Sequence, residues 1–133
     1  MLTFTSRHWD VAMNAGRVIA SSITAPQSPS SPVSGVANAK QFIPVFWSAQ
    51  GGQLRYCGNT MITDGYDGFH LAGKPDDGKF VGYYGKNDEI VALCSMGMDP
   101  YMAKAATLMR ESRMPTLSDV KGGTDILEIS VVG

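Results

Sequence analysis

Apolar positions recur at two different periods along the chain, and the switch between them is clearest in residues 79–110, KFVGYYGKNDEIVALCSMGMDPYMAKAATLMR. Phe80, Gly82 and Tyr84 alternate with Val81 and Tyr83, a period-2 run rich in residues that fit a pleated surface. The polar tetrad Gly85-Lys86-Asn87-Asp88 predicts a reversing turn, and the unbroken apolar run Ile90–Cys94 predicts a central strand covered on both faces. Beyond Ser95–Met98 the period becomes helical: Met102, Ala105, Ala106 and Met109 fall on one side. Asp99 is the expected cap, Pro100 suits the first helical position, and Pro115 sets the end near Ser112.

The same reading covers the rest of the chain. Val11, Ala15, Val18 and Ile19 predict a helix over about His8–Ile23, with Ser6 as cap and Asp10 in the first turn. Residues 25–40, APQSPSSPVSGVANAK, have no periodicity and read as a Pro/Ser-rich linker. In 41–50, QFIPVFWSAQ, aromatic and branched residues surround Pro44, which restricts the segment to an edge strand or a bulged one. Gly51-Gly52 is a tight return into Leu54–Gly58, and Gly68–Gly73 is a further strand before the loop 74–78. Thr116–Lys121 predicts one helical turn closed by Gly122-Gly123, and Ile126–Val131 either a short strand or an ordered tail. The expected fold is α+β: an antiparallel sheet of about five strands with one main helix packed on it, preceded by an isolated helix.

A chain of 133 residues suits one domain, burying roughly two-thirds of its unfolded surface. Eleven basic and twelve acidic residues give a net charge of -1 without clusters of either sign, which argues against a nucleic-acid partner. No apolar run reaches the roughly 20 residues of a membrane span. The first forty residues are Ser-rich and have Asp10 as their only acid, as in a mitochondrial transit peptide, yet a folded helix explains them better; cytoplasmic and mitochondrial locations both stay open. Cys57 and Cys94 lie in apolar strand-like runs, where a buried reduced thiol is the usual reading.

Candidate chemistry is sparse. GxGxxG, phosphate-loop, CxxC and HExxH patterns do not occur, and His8 and His70 have no carboxylate at ligand spacing, so no metal site and no catalytic constellation is expected. The unusual features are His8-Trp9 at a helix start, where free NH groups attract electron-rich oxygens, and Phe46-Trp47-Ser48 in the first strand. On composition alone, core packing of either indole is the plainer reading.

Taken together, RHWDVAMNAGRVIASSI, FWSAQGGQLRYCG and the 79–110 stretch resemble the final portion of the FAD-dependent pyridine-nucleotide reductases that include ferredoxin and rubredoxin reductases and apoptosis-inducing factor. Trp47-Ser48-Ala49 and Leu54-Arg55-Tyr56 point to the eukaryotic apoptosis-inducing-factor-like branch, whose fuller members carry a Rieske-type domain. The resemblance implies that residues 1–24 are the terminal helix of an FAD-binding domain, 25–40 a linker, and 41–133 a reductase C-terminal domain. It implies FAD as cofactor, contacted by Arg7, His8 and Trp9 at the helix start and by Phe46, Trp47 and Ser48. It further implies NAD(P)H oxidation with electrons passed to an iron-sulfur acceptor or Rieske-type domain.

Many relatives have Glu at the position of Arg7, Gln at Ala15 and Asp at Ala49, so only backbone contacts carry over there. The dinucleotide-binding folds of the family would precede Met1, which makes the expected chain a fragment that is inactive alone. The other expectation is a stand-alone protein-interaction module without redox activity.

Overall fold

The computed structural model describes residues 9–24, 42–49, 51–61 and 64–131. Ser6, Arg7, His8 and the 25–40 linker lie outside the described residues. Helix α1 (Trp9–Thr24) precedes five strands, β1 (Val45–Ala49), β2 (Gln53–Gly58), β3 (Gly68–Lys74), β4 (Lys79–Lys86) and β5 (Glu89–Met96). Helices α2 (Tyr101–Arg110) and α3 (Leu117–Lys121) follow.

The strands form one antiparallel sheet in the order β1-β2-β5-β4-β3. Two local units, the β1–β2 hairpin and the β3–β4–β5 meander, therefore meet along a single β2–β5 seam. The apolar β5 is the central strand, as its sequence requires. Pro44 stands one residue ahead of β1, the edge strand, and its carbonyl accepts from Gly58 N at 2.9 Å.

Alternation along the strands decides the faces. Val81, Tyr83, Leu93 and Cys57 turn to one side and pack with Ala105, Ala106 and Leu108 of α2 and Leu117 and Val120 of α3 into one buried core. Helix α2 lies on β2 and β5, and α3 on β3 and β4. Between Tyr84 and Gly85 the β4–β5 register shifts, so that Gly85 pairs with Ile90 and Ile90 joins the helix-side core. Cys57 pairs with Leu93, and Cys94 with Tyr56, which puts the two thiols on opposite faces of the sheet; both are buried and free.

Two local expectations are corrected, and a third, open in the sequence, is decided. The turn after β4 is two residues, not four: Asn87 and Asp88 have φ of 51° and 68°, the pattern of a type I′ hairpin, while Gly85 and Lys86 remain in the strand. Gly85 is needed there because a Cβ would stand 2.8 Å from Leu117 Cδ2. Asp99 does not cap α2; the cap position is Pro100 with no side-chain bond, and Asp99 pairs with Arg55 instead. Of the two readings of residues 126–131 the structure has the ordered tail, opening with a 3-10 turn at Ile126–Glu128 capped by Asp125, which buries Ile126.

Helix α3 agrees with its sequence in detail. Thr116 accepts from Asp119 N at 3.1 Å while the Asp119 carboxylate accepts from Thr116 N at 3.0 Å, a reciprocal capping box. That bond pattern holds the Asp119 carboxyl below the usual range.

Candidate functional site

The Phe46-Trp47-Ser48 segment is divided by strand geometry. Trp47 lies on the helix-bearing side of edge strand β1, directly across from Arg55 of β2, and is 61% exposed. Phe46 and Ser48 face the other side, where Phe46 stacks on Tyr56 with ring centroids 4.9 Å apart. Trp9 opens α1 and is 70% exposed, whereas Val11 one turn-face away is buried. Helix α1 touches β1, so the element carrying Trp9 adjoins the strand carrying Trp47. Arg7 and His8 lie outside the described residues.

The second sheet face has a character that no local motif disclosed. By alternation it receives Phe46, Ser48, Leu54, Tyr56, Phe69, Leu71, Phe80, Gly82, Tyr84, Ala92, Cys94 and Met96, with charge only at the hairpin end, where Lys86 pairs with Glu89. Four of its rings form a chain with a fifth from the preceding loop: Tyr56 lies 6.4 Å from Tyr84, which meets Phe69 at 5.1 Å and Tyr66 edge-on at 5.0 Å. Gly82 leaves the space: a Cβ there would be 2.8 Å from Cys94 Sγ and 3.2 Å from the Phe69 ring. An antiparallel sheet with one wet face normally carries polar residues on it. The strands did show alternation, but only their register reveals which residues share this face.

Tyr56 and Tyr84 on this face, and Cys57 on the helix-bearing side, are held protonated. Burial pushes the Cys57 thiol up to about 12, and burial also raises Tyr56. Tyr84 is raised by burial and then by its contact with Cys94, whose Sγ lies 3.7 Å from the Tyr84 hydroxyl. Protonated phenols and a protonated thiol supply packing surface, not acid–base catalysis at neutral pH. Among the described residues no three His, Cys, Asp or Glu side chains group as metal ligands. Among them, too, no helix is long and apolar enough to cross a membrane.

What the arrangement offers is flat aromatic area and a helix start. The helix dipole at the N-terminus of α1 favours electron-rich oxygen, and Asp10 in the first turn already presents negative charge there. A neutral ring carbonyl suits that end better than a phosphate dianion. The exposed indoles likewise suit a planar heterocycle.

No protein-family model matches the chain. Over 107 residues, 80% of the chain, it is 34% identical to human apoptosis-inducing factor 3 and 33% identical to the mouse protein of that name. Only 16% of the length of either relative is spanned. Among solved structures, a chain of the covalent putidaredoxin reductase–putidaredoxin complex superposes with a TM-score of 0.51 at 22% identity, over 60% of this chain and 18% of that one, a likeness of fold. In sequence and in fold the chain thus resembles the C-terminal portion of an apoptosis-inducing-factor-like pyridine-nucleotide reductase.

Proposed function

We propose that this chain is the part of an FAD-dependent NAD(P)H oxidoreductase that covers the flavin and faces the electron acceptor. The observation that carries the reading is Trp47: a large indole left 61% exposed on an edge strand that α1 adjoins. Burying such a ring against a planar ligand would recover apolar area that the chain by itself leaves in water.

In this reading residues 1–24 belong with a flavin-binding domain, 25–40 link it to the sheet domain, and 41–133 form the covering domain. Trp9 and Trp47 would lie against the isoalloxazine, with Arg7 and His8 at the helix start and Phe46 and Ser48 backing the strand. The residues fit the ring end of FAD; among those described, none forms a glycine-rich cradle for its phosphates. When bound, the flavin supplies the hydride and electron transfer, while the protein's part is binding, orientation and exclusion of water. The acceptor would be an iron-sulfur protein or a Rieske-type domain.

The test is a chimera in which this chain replaces the aligned segment of human apoptosis-inducing factor 3. Retained flavin whose absorbance and fluorescence change on Trp47→Ala, with the fold intact by circular dichroism, is the expected result. Unchanged flavin spectra and turnover beside a large loss of stability would return Trp47 to ordinary packing and overturn the reading. A second reading, a protein-interaction module without redox activity, is favoured by the largely apolar and aromatic sheet face; a folded chimera that holds no flavin would select it.

A further inference from the structure

We propose that β3 is a self-association edge: two copies of this chain join β3 to β3, antiparallel about a two-fold axis at His70, into one ten-stranded sheet. The inference goes beyond the flavin reading and needs neither FAD nor an electron acceptor.

The two edges of the sheet, β1 and β3, differ in how they are protected. An edge strand presents a row of unpaired NH and carbonyl groups, which proteins blunt with short strands, proline, charge or a covering element. Strand β1 has such protection: it is five residues long, follows Pro44 and is adjoined by α1. Strand β3 is seven residues long, contains no proline, pairs with β4 without a register shift and has no Asp, Glu, Arg or Lys before Lys74. Outside α1 and Trp47, the large apolar side chains that stand in water among the described residues are Met61, Tyr66, Phe69, Leu71 and Val131. Three of them fall within residues 66–71, and Phe69 and Leu71, 44% and 43% exposed, share the aromatic sheet face at this edge.

The sequence of β3 suits a second copy of itself. A two-fold axis normal to the sheet keeps the aromatic faces of both copies on one side, so only residues of equal parity can be opposed. An axis at Leu71 would draw Gly73 into the ladder opposite Phe69, and Gly73 has φ of 96°, outside strand geometry. An axis at His70 keeps the ladder within 68–72. Phe69 of each copy then meets Leu71 of the other on the aromatic face, while Gly68, which lies against Leu117 on the helix-bearing face, meets Ala72. Just beyond, Lys74 falls opposite Tyr66 and next to Asp67, so no like charges are opposed between residues 66 and 74. The pairing also closes on itself: each copy uses its β3, and the outer edges of the joined sheet are the two β1 strands that α1 adjoins.

The test is sedimentation velocity on the full chain over a concentration series reaching about 1 mM, where even a weak specific contact is populated. A dimer is expected, and Leu71→Lys, which sets an ammonium group into the apolar pair, should weaken it at least about tenfold with circular dichroism unchanged. His70→Cys should form an intermolecular disulfide under mild oxidation and Leu71→Cys should not, because only the residue on the axis faces itself within reach of an S–S bond. The native thiols, Cys57 and Cys94, are buried and do not compete. A parent that stays monomeric throughout the series would overturn the proposal, and that arm needs no variant to fold. So would a dimer that Leu71→Lys leaves intact, or one that cross-links through Leu71→Cys and not through His70→Cys. A monomeric parent whose β3 amides resist hydrogen exchange would assign the edge to another segment of the chain, which also overturns it.

Discussion

Asp88 Oδ1 accepts two hydrogen bonds from Ser118, one from its backbone NH at 2.9 Å and one from its hydroxyl at 2.8 Å. A β-hairpin turn is thereby fastened to the first turn of α3, reinforced by Leu117 N donating to the Asp88 carbonyl at 2.8 Å. Asp88 also occupies a left-handed conformation, with φ of 68°. Asp88→Gly keeps that conformation and removes the side-chain bonds, for an expected loss of about 1–2 kcal/mol in urea unfolding. Asp88→Ala should lose more, since a Cβ at that φ adds strain of about 1 kcal/mol. Equal losses in the two variants would show that backbone conformation is irrelevant here.

Two glycines should respond differently to alanine. At Gly58, φ is 93° and a Cβ would collide with the Val91 carbonyl oxygen and stand 2.6 Å from Ala92 Cα, so backbone blocks it and Gly58→Ala should prevent stable pairing of β2 with β5. At Gly82 the obstacles are side chains, Cys94 Sγ and the half-exposed Phe69 ring. Gly82→Ala should cost about 1–3 kcal/mol as overpacking, and adding Cys94→Ala should return part of it. Additive losses in that double mutant would remove Sγ as the cause.

Alkaline pH should weaken the fold through Cys57. Its thiol is pushed up to about 12 from 9.0 by burial, so between those values the unfolded chain has released a proton that the folded chain still holds. The folded state then binds more protons, and stability falls as pH rises through that window. Tyr83, also raised by burial, acts in the same direction at the upper end. Cys57→Ala should flatten the decline above pH ~9 relative to the parent in unfolding titrations. A disulfide-exchange reagent at neutral pH should label Cys57 only at the rate at which the chain opens.

Trp47→Ala should change the unfolding free energy by less than about 1 kcal/mol, because the ring is mostly in water already. Leu93→Ala, at a fully buried position, should cost about 2–5 kcal/mol in the same titration. A loss at Trp47 comparable to that at Leu93 would mean that the indole supports the core.

The strands and helices were legible in the sequence because their signals are local: alternation at Phe80–Tyr84, the apolar run at Ile90–Cys94, the helical spacing from Met102 to Met109. Where local signals failed, a distant residue decided. Gly85-Lys86 has turn composition, but both residues pair with β5, at Ile90 and Glu89, and Leu117 packs over Gly85. Asp99 is a good cap by type, yet the Arg55 guanidinium at 2.9 Å claims its carboxylate. At the candidate site, Trp47 was visible as an unusual aromatic, whereas Arg55 beside it and the chain of rings through Tyr56 and Tyr84 required the register of β1, β2 and β5.

The seam along which β2 meets β5 also constrains the route by which the chain folds. Each flanking unit closes through short turns, but the seam joins Leu54 with Met96 and Gly58 with Ala92, so it must overcome the loop-closure entropy of everything between them. Hairpin formation on both sides should precede it, and the rate-limiting barrier should be the docking of two preformed ribbons, with α2, which packs across β2 and β5, consolidating only once they have joined.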